Sequence, residues 1–367
     1  MKSACILLKS KNEYFSKQNA LCVSVFEKQG YAFDEIRIVS DIAEKDFISF
    51  TQELTRSYTH LVIFANKTQI QTVDKLLSSI ISRTASFGNN QEVVIYSKED
   101  KNVFLFRIGE KDDNLETIVQ TYASYVKQND TRSFEKSTFR CVGLNHQLIQ
   151  PLIAKAKTID GGKMRYFYQQ DYSESIIDIY YDEDISKKII NDVMRLFADT
   201  LGESVYAVDS TNLAEQLVHI LKLRGKRISV AESFTGGGIA KAISSVSGAS
   251  EVYFEGLNTY NELSKIKRLG VSEYTLNTQG AVAEQTVYEM ANGLLHTGNC
   301  DIAIATTGLA GPKSDRSNFP VGLCYIGIGT KEKVLVYRYQ FDGSREEITQ
   351  TAIQYALFLA YKELKNM

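Results

Sequence analysis

Ser233 closes an apolar run and opens a glycine-rich one, Val230-Ala231-Glu232-Ser233-Phe234-Thr235-Gly236-Gly237-Gly238. A serine oxygen attacks a carbonyl effectively only when a base takes its proton or a cation steadies its alkoxide. The four histidines (His60, His146, His219, His296) are scattered and none adjoins a special loop, so a Ser-His-Asp arrangement is not expected. That leaves Lys265 and Tyr260, five residues apart in Thr259-Tyr260-Asn261-Glu262-Leu263-Ser264-Lys265, where a strand gives way to a helix. A lysine drawn out of water loses part of its pKa and can then act as a base. The plainer alternatives are a solvated helix lysine and a packed strand tyrosine. Thr306-Thr307-Gly308-Leu309-Ala310-Gly311-Pro312 offers small residues and backbone N–H groups suited to close ligand approach. Glu232 either orients a neighbour or a ribose hydroxyl, or caps a turn. Arg345 follows Phe341-Asp342-Gly343-Ser344 at a helix start, where it is placed to grip a phosphate or carboxylate or simply to face water.

The elements that would position these groups are read from periodicity. Residues 227–231 have strand character, and apolar spacing through Ile239, Ala240, Ile243 and Val246 is helical. Strand, tight turn and helix start together aim a short side chain and free N–H groups at one spot, and the helix dipole favours an anion there. The bland alternative is Ser233 as an N-cap and the glycines as a turn. Downstream, a strand from Val252 to Tyr260, helices from Asn261 and over 284–296, a buried strand at 301–306, two more strands and a helix from Ser344 make an α/β domain over 210–367. Residues 1–128 also alternate strand and helix, which predicts a mostly parallel sheet covered on both faces. Such sheets bind ligands at the carboxyl ends of their strands. The loops expected there, 9–13 and 65–68, contain no glycine, so a structural or partner-binding role is read for this domain. Residues 129–137 read as a linker inside a third region, 129–209. That region is a small α+β module, with a Gly161-Gly162 turn and the aromatics Tyr166, Phe167 and Tyr168 on a strand. Together with Tyr172, Tyr180 and Tyr181 those rings could stack bases, but no basic groove accompanies them, and half-buried aromatics in or beside the strands are the plainer alternative.

Composition narrows the function classes. Lys and Arg number 42 against 44 Asp and Glu, and neither half of the chain is basic, so nucleic-acid binding is not expected. No run of about 18 apolar residues and no signal-peptide pattern is present, which predicts a cytoplasmic protein with no membrane partner. Five cysteines without a C-x-x-C pattern point to free thiols, and no metal or other cofactor is expected. Seventeen of 23 glycines fall after residue 200, which places special backbone geometry late in the chain.

Six motifs in order, Ala231–Gly237, Thr259–Asn261 with Lys265, Gly280–Glu284, Thr307–Pro312, Pro320–Gly322 and Phe341–Arg345, resemble the CinA C-terminal domain of the nicotinamide-nucleotide amidase (PncC-like) family. The resemblance implies hydrolysis of nicotinamide mononucleotide to nicotinate mononucleotide and ammonia, in pyridine-nucleotide salvage. It implies Ser233, Lys265 and Tyr260 as catalytic residues. Glu232, Thr235, Gly236, Gly237, Thr307, Gly308, Ala310, Gly311 and Arg345 follow as substrate contacts. The whole chain is similar to full-length CinA: a Rossmann-like, molybdopterin-binding-like α/β domain, a KH-like module and the amidase domain, with a homodimer implied. Phe234 stands where the family has cysteine, and Thr349 where it often has a second arginine. Two other functions compete: a nucleotide-binding scaffold whose pocket has drifted, and an ADP-ribose pyrophosphatase in the N-terminal domain. The glycine-poor loops oppose the second. On this reading the first 200 residues are dispensable to the chemistry.

Overall fold

In the computed structural model, all residues are described except 1, 10–16, 28, 41–43, 88–92, 109–114, 130–133 and 313–318. The chain divides into two compact units, 1–136 with 182–184, and 137–181 with 185–367.

The first unit runs β1 (Ser3–Lys9), α1 (Lys17–Glu27), β2 (Glu35–Ser40), α2 (Glu44–Ser57), β3 (His60–Ala65), α3 (Ile70–Ser78), β4 (Arg83–Phe87), β5 (Val93–Lys98), β6 (Lys101–Arg107) and α4 (Leu115–Asn129). Its sheet has the order β2-β1-β3-β6-β5-β4, parallel from β2 to β6 and antiparallel beyond. Strand β3 is buried along its whole length, as its unbroken apolar run predicts. Val62 and Phe64 face a core with α1 and α4, and Leu61 and Ile63 face one with α2 and α3. The sequence reading lacks β4, a sheet-edge strand whose Arg-Thr-Ala-Ser-Phe offers only Ala85 and Phe87 as apolar residues. Of the two loops read at strand ends, residues 10–13 lie outside the described residues. In the other, Asn66 Oδ1 accepts from the Thr68 and Gln69 N–H groups and the Thr68 hydroxyl, a turn closed upon itself.

The second unit begins with the α+β module: β7 (Phe134–Val142), α5 (Ile149–Asp160), β8 (Arg165–Asp171), β9 (Glu174–Asp182), α6 (Lys187–Leu201) and β10 (Val205–Ala207), in the sheet order β10-β7-β9-β8. The linker expected over 129–137 is therefore shorter than read, since β7 already starts at Phe134. Its polar sequence, Glu-Lys-Ser-Thr, masks a strand held by pairing. Tyr166 gives its hydroxyl to Asp160 and packs on Phe197, so it belongs to the module's core.

The remainder is α7 (Leu213–Leu223), β11 (Ile228–Glu232), α8 (Gly238–Ser244), β12 (Tyr253–Asn258), α9 (Glu262–Leu269), α10 (Glu273–Thr278), α11 (Glu284–His296), β13 (Ile302–Gly308), β14 (Leu323–Thr330), β15 (Val334–Gln340) and α12 (Arg345–Asn366). Its sheet order is β12-β11-β13-β14-β15, with β12, β11 and β13 parallel. Period-2 alternation decides which helices sit on which face. Ile228, Val230, Ile302 and Ile304 point to the core shared with α7, α8 and α12. Ala231, Ala303 and Ala305 point to the core shared with α9, α10 and α11. Small side chains let α11 lie close: a Cβ on Gly327 would meet the Val287 carbonyl at 3.2 Å. Three parallel strands thus end at one edge, where β11 and β13 deliver Ser233 and Thr306–Gly308. Among the described residues no helix is long and apolar enough to cross a membrane.

Candidate active site

Ser233 extends β11 by one residue. Its N–H donates to Thr306 O across to β13, and it is 8% exposed. The chain then turns through Gly236 (φ 62°) and Gly237 (φ 97°), left-handed conformations that favour glycine. Helix α9 begins behind the Asn261 cap, and the helix turn brings Lys265 back over the end of β11. Lys265 is 1% exposed, and its Nζ lies 3.0 Å from Ser233 Oγ, 2.6 Å from Thr259 O and 3.4 Å from Tyr260 O. Burial pulls its pKa down from 10.5 to about 8, opposed by the Glu262 carboxylate. As an ammonium, Nζ donates to all three oxygens. As a free amine, it gives its two hydrogens to the carbonyls and leaves its lone pair facing the Ser233 hydroxyl. Two fixed acceptors therefore orient the amine toward the serine. Sequence inspection cannot find the Thr259 and Tyr260 carbonyls, because every residue has one; only the strand-to-helix junction aims them.

Glu232 takes a role other than ligand contact. It is 1% exposed, and its carboxylate accepts from the N–H groups of Gly237 (3.1 Å), Ile239 (3.1 Å) and Ala240 (2.8 Å). The positive end of α8, which the sequence offered to a substrate anion, is thus already neutralised from within the chain. Of the two readings of Glu232, the cap is the one the hydrogen bonds make. Replacing Glu232 with alanine removes the acceptor of three N–H donors, one buried and two part-buried, and is expected to destabilise the protein by about 2–4 kcal/mol. Urea unfolding followed by circular dichroism measures this as a lower midpoint; an unchanged midpoint refutes the capping role.

Other sequence candidates are also occupied internally. The Thr235 and Thr306 hydroxyls bond each other at 2.8 Å, and Thr307 Oγ1 donates to Ala281 O at 2.6 Å. These threonines pin β13 and the 281 loop to the serine turn instead of presenting free hydroxyls. Ala310 is 3% exposed and packs with Phe234, Cys324, Ile348 and Ala352, so it too is a packing residue. Phe234 fills that same cluster and anchors the serine turn on α12. Gly308 leaves no room for a side chain, since a Cβ there would lie 2.9 Å from Leu323 O. Gly236 and Gly237 face open space. Among the described residues, the Phe234 and Thr235 N–H groups make no hydrogen bond within the chain, which leaves two donors free beside Ser233.

Tyr260 does not join the buried pair through its phenol. Only its carbonyl approaches Lys265; the side chain is 62% exposed, and its hydroxyl accepts from Arg345 Nη2 at 3.3 Å. Arg345 Nη1 donates to Gly311 O at 2.7 Å. The guanidinium thus ties the exposed Tyr260 phenol to the 307–312 loop, while the carbonyl of the same tyrosine meets the buried Lys265 amine.

Comparison with known proteins finds relatives for this part of the chain. Residues 210–364 match the family model described as the CinA C-terminal domain. A relative from Caldicellulosiruptor saccharolyticus, described as competence-damage inducible, is 42% identical over 185 residues, 50% of this chain and 45% of the relative. A CinA-like protein from Endomicrobium trichonymphae is 32% identical over 258 residues, 69% of this chain and 59% of the relative. The chain thus spans about half the length of the curated relatives it matches. The crystal structure of a competence/damage inducible protein from Agrobacterium tumefaciens is 35% identical, covering 42% of this chain and 93% of that one, with a TM-score of 0.40. The family match thus rests on residues 210–364, which correspond to the CinA C-terminal domain.

Proposed function

We propose that the chain is a nicotinamide-nucleotide amidase, converting nicotinamide mononucleotide to nicotinate mononucleotide and ammonia. The observation that carries this reading is the 3.0 Å approach of a buried, pKa-lowered Lys265 amine to Ser233 Oγ, with two backbone carbonyls holding the amine in line. Ser233 Oγ attacks the carboxamide carbon while its proton passes to the Lys265 amine. The C–N bond of the tetrahedral adduct then breaks, and the nitrogen leaves as ammonia with the proton from Lys265. Water, deprotonated by the same amine, cleaves the acyl–serine ester. The free Phe234 and Thr235 N–H groups are the donors available to the oxyanion. Arg345 and the phenol of Tyr260 form a polar rim suited to the ribose-phosphate end of the substrate.

The test is ammonia release from nicotinamide mononucleotide by the purified chain, with nicotinate mononucleotide as co-product. If the nucleotide survives intact at high enzyme concentration, the reading fails. Because only free amine is a base, turnover should rise with pH through about 8, where burial has brought the Lys265 pKa. A rate that is flat from pH 6.5 to 9.5 would remove Lys265 as the base.

A further inference from the structure

The α+β module and the amidase-type domain share one compact unit, and their contact falls on the helix that carries Arg345. The β8–β9 hairpin turns through two residues, Tyr172 and Ser173, between the paired Asp171 and Glu174. Gln354 of α12 reads this turn almost completely. Its Oε1 accepts from Ser173 N (2.8 Å), Ser173 Oγ (2.6 Å) and Glu174 N (3.1 Å), and its Nε2 donates to Asp171 O (3.0 Å). Eight residues earlier on the same helix stripe, about 12 Å along the axis, Glu346 accepts from the Tyr172 hydroxyl at 3.3 Å. Tyr172 has φ 54°, at a hairpin position where glycine is the favoured residue. A bulky residue kept in that conformation indicates that its side chain is needed where it points. A second seat lies beside the first: Gly143 donates its N–H to Ser173 O, and a Cβ on it would lie 2.6 Å from Tyr355 Oη.

On the solvent side the first turn of α12 is otherwise held by its Ser344–Glu347 capping box and by the bonds of Arg345 to Gly311 O and the Tyr260 hydroxyl. Residues 345–347 are exposed, and Ile348 is the first buried side chain. We propose that the 171–174 hairpin is a positioning clamp for the N-terminal turn of α12, so that the α+β module sets the place of Arg345 at the nucleotide rim. Tyr172 and Gln354 are positioning residues; neither reaches the serine–lysine pair. The inference rests on the amidase reading for its kinetic prediction. It also narrows the expectation that the first 200 residues are dispensable: turnover is indifferent to the module, whereas substrate affinity is not.

The experiment uses the full chain carrying Gln354→Ala, with nicotinamide mononucleotide as substrate. The expected result is a KM raised about three- to tenfold with kcat within about twofold of the parent. Gln354→Glu keeps the acceptor for three of the four bonds and should restore KM toward the parent value, which a generally loosened fold would not. Amide hydrogen exchange gives a readout independent of catalysis: a peptide over 345–353 should exchange faster in Gln354→Ala, and one over 357–366 should not. An unchanged KM with unchanged exchange overturns the clamp, as does a fall in kcat at constant KM. If the parent chain releases no ammonia, the amidase reading fails while exchange still decides the clamp. Should Gln354→Ala be insoluble, Tyr172→Phe, which strands no buried partner, decides by the same two readouts.

Discussion

Ser233→Ala should lower ammonia release from nicotinamide mononucleotide by about three to six orders of magnitude while leaving the fold and nucleotide binding in place. The magnitude follows from what the hydroxyl does: it is the attacking atom, and among the described residues no other nucleophilic side chain is hydrogen-bonded to the Lys265 amine. The fold should survive because the backbone bond from residue 233 to Thr306 O does not involve the side chain. The serine is buried at the end of a strand, and alanine adds no volume there. Lys265 keeps both carbonyl partners and, as an ammonium, loses only the acceptor at Ser233. Turnover and ligand affinity, measured separately, check this. Retention of more than about a tenth of the turnover would point to direct attack by water, because loss of a covalent nucleophile is never that mild.

Much of this arrangement is legible in the sequence, for physical reasons that differ by residue. Strand β11 and the glycine turn are written locally: an apolar run, a hydroxyl, and residues that tolerate positive φ. The alternation of large and small residues in β13 states which face meets which helices, although only pairing with β11 shows it. Nearness of Lys265 to Ser233 is suggested by its strand-to-helix junction but fixed by the β11–β12 register and the Asn261 cap. What the sequence hides is competition among polar groups. The type and position of Glu232 fit a ligand contact as well as a cap, and only the three N–H groups converging on it distinguish the two. Thr235, Thr306 and Thr307 have the same ambiguity, and each is satisfied within the chain. Helix α10 escapes sequence inspection because six residues are too short to show a period; the Glu289 carboxylate holds it, taking Ser272 N and Thr275 Oγ1. The hairpin clamp on α12 joins residues some 180 positions apart, beyond any local pattern.

Lys265→Met should lower turnover by about two to four orders of magnitude with little change in affinity for nicotinamide mononucleotide. Among the described residues no histidine is hydrogen-bonded to the serine, and the phenol of Tyr260 is turned to Arg345 at the surface, so the lysine amine is the base in contact with Ser233 Oγ. Burial sets its pKa at about 8, near enough to neutrality that a useful fraction is free amine. The sign of the linked stability effect follows from the same shift. Between about 8 and the ordinary 10.5, the unfolded chain holds the proton that the folded chain has lost, so stability rises with pH across that window. Below about pH 8 the full cost of burying an ammonium is present. Methionine removes that cost and keeps most of the stem, which offsets the lost bond to Thr259 O; circular dichroism should report an intact fold. The variant should also lose the parent's rise in stability between pH 8 and 10.5. Normal turnover would end the role of Lys265 as base. Weakened binding with normal turnover at saturation would make it a substrate ligand, and its 3.0 Å contact with Ser233 incidental to catalysis.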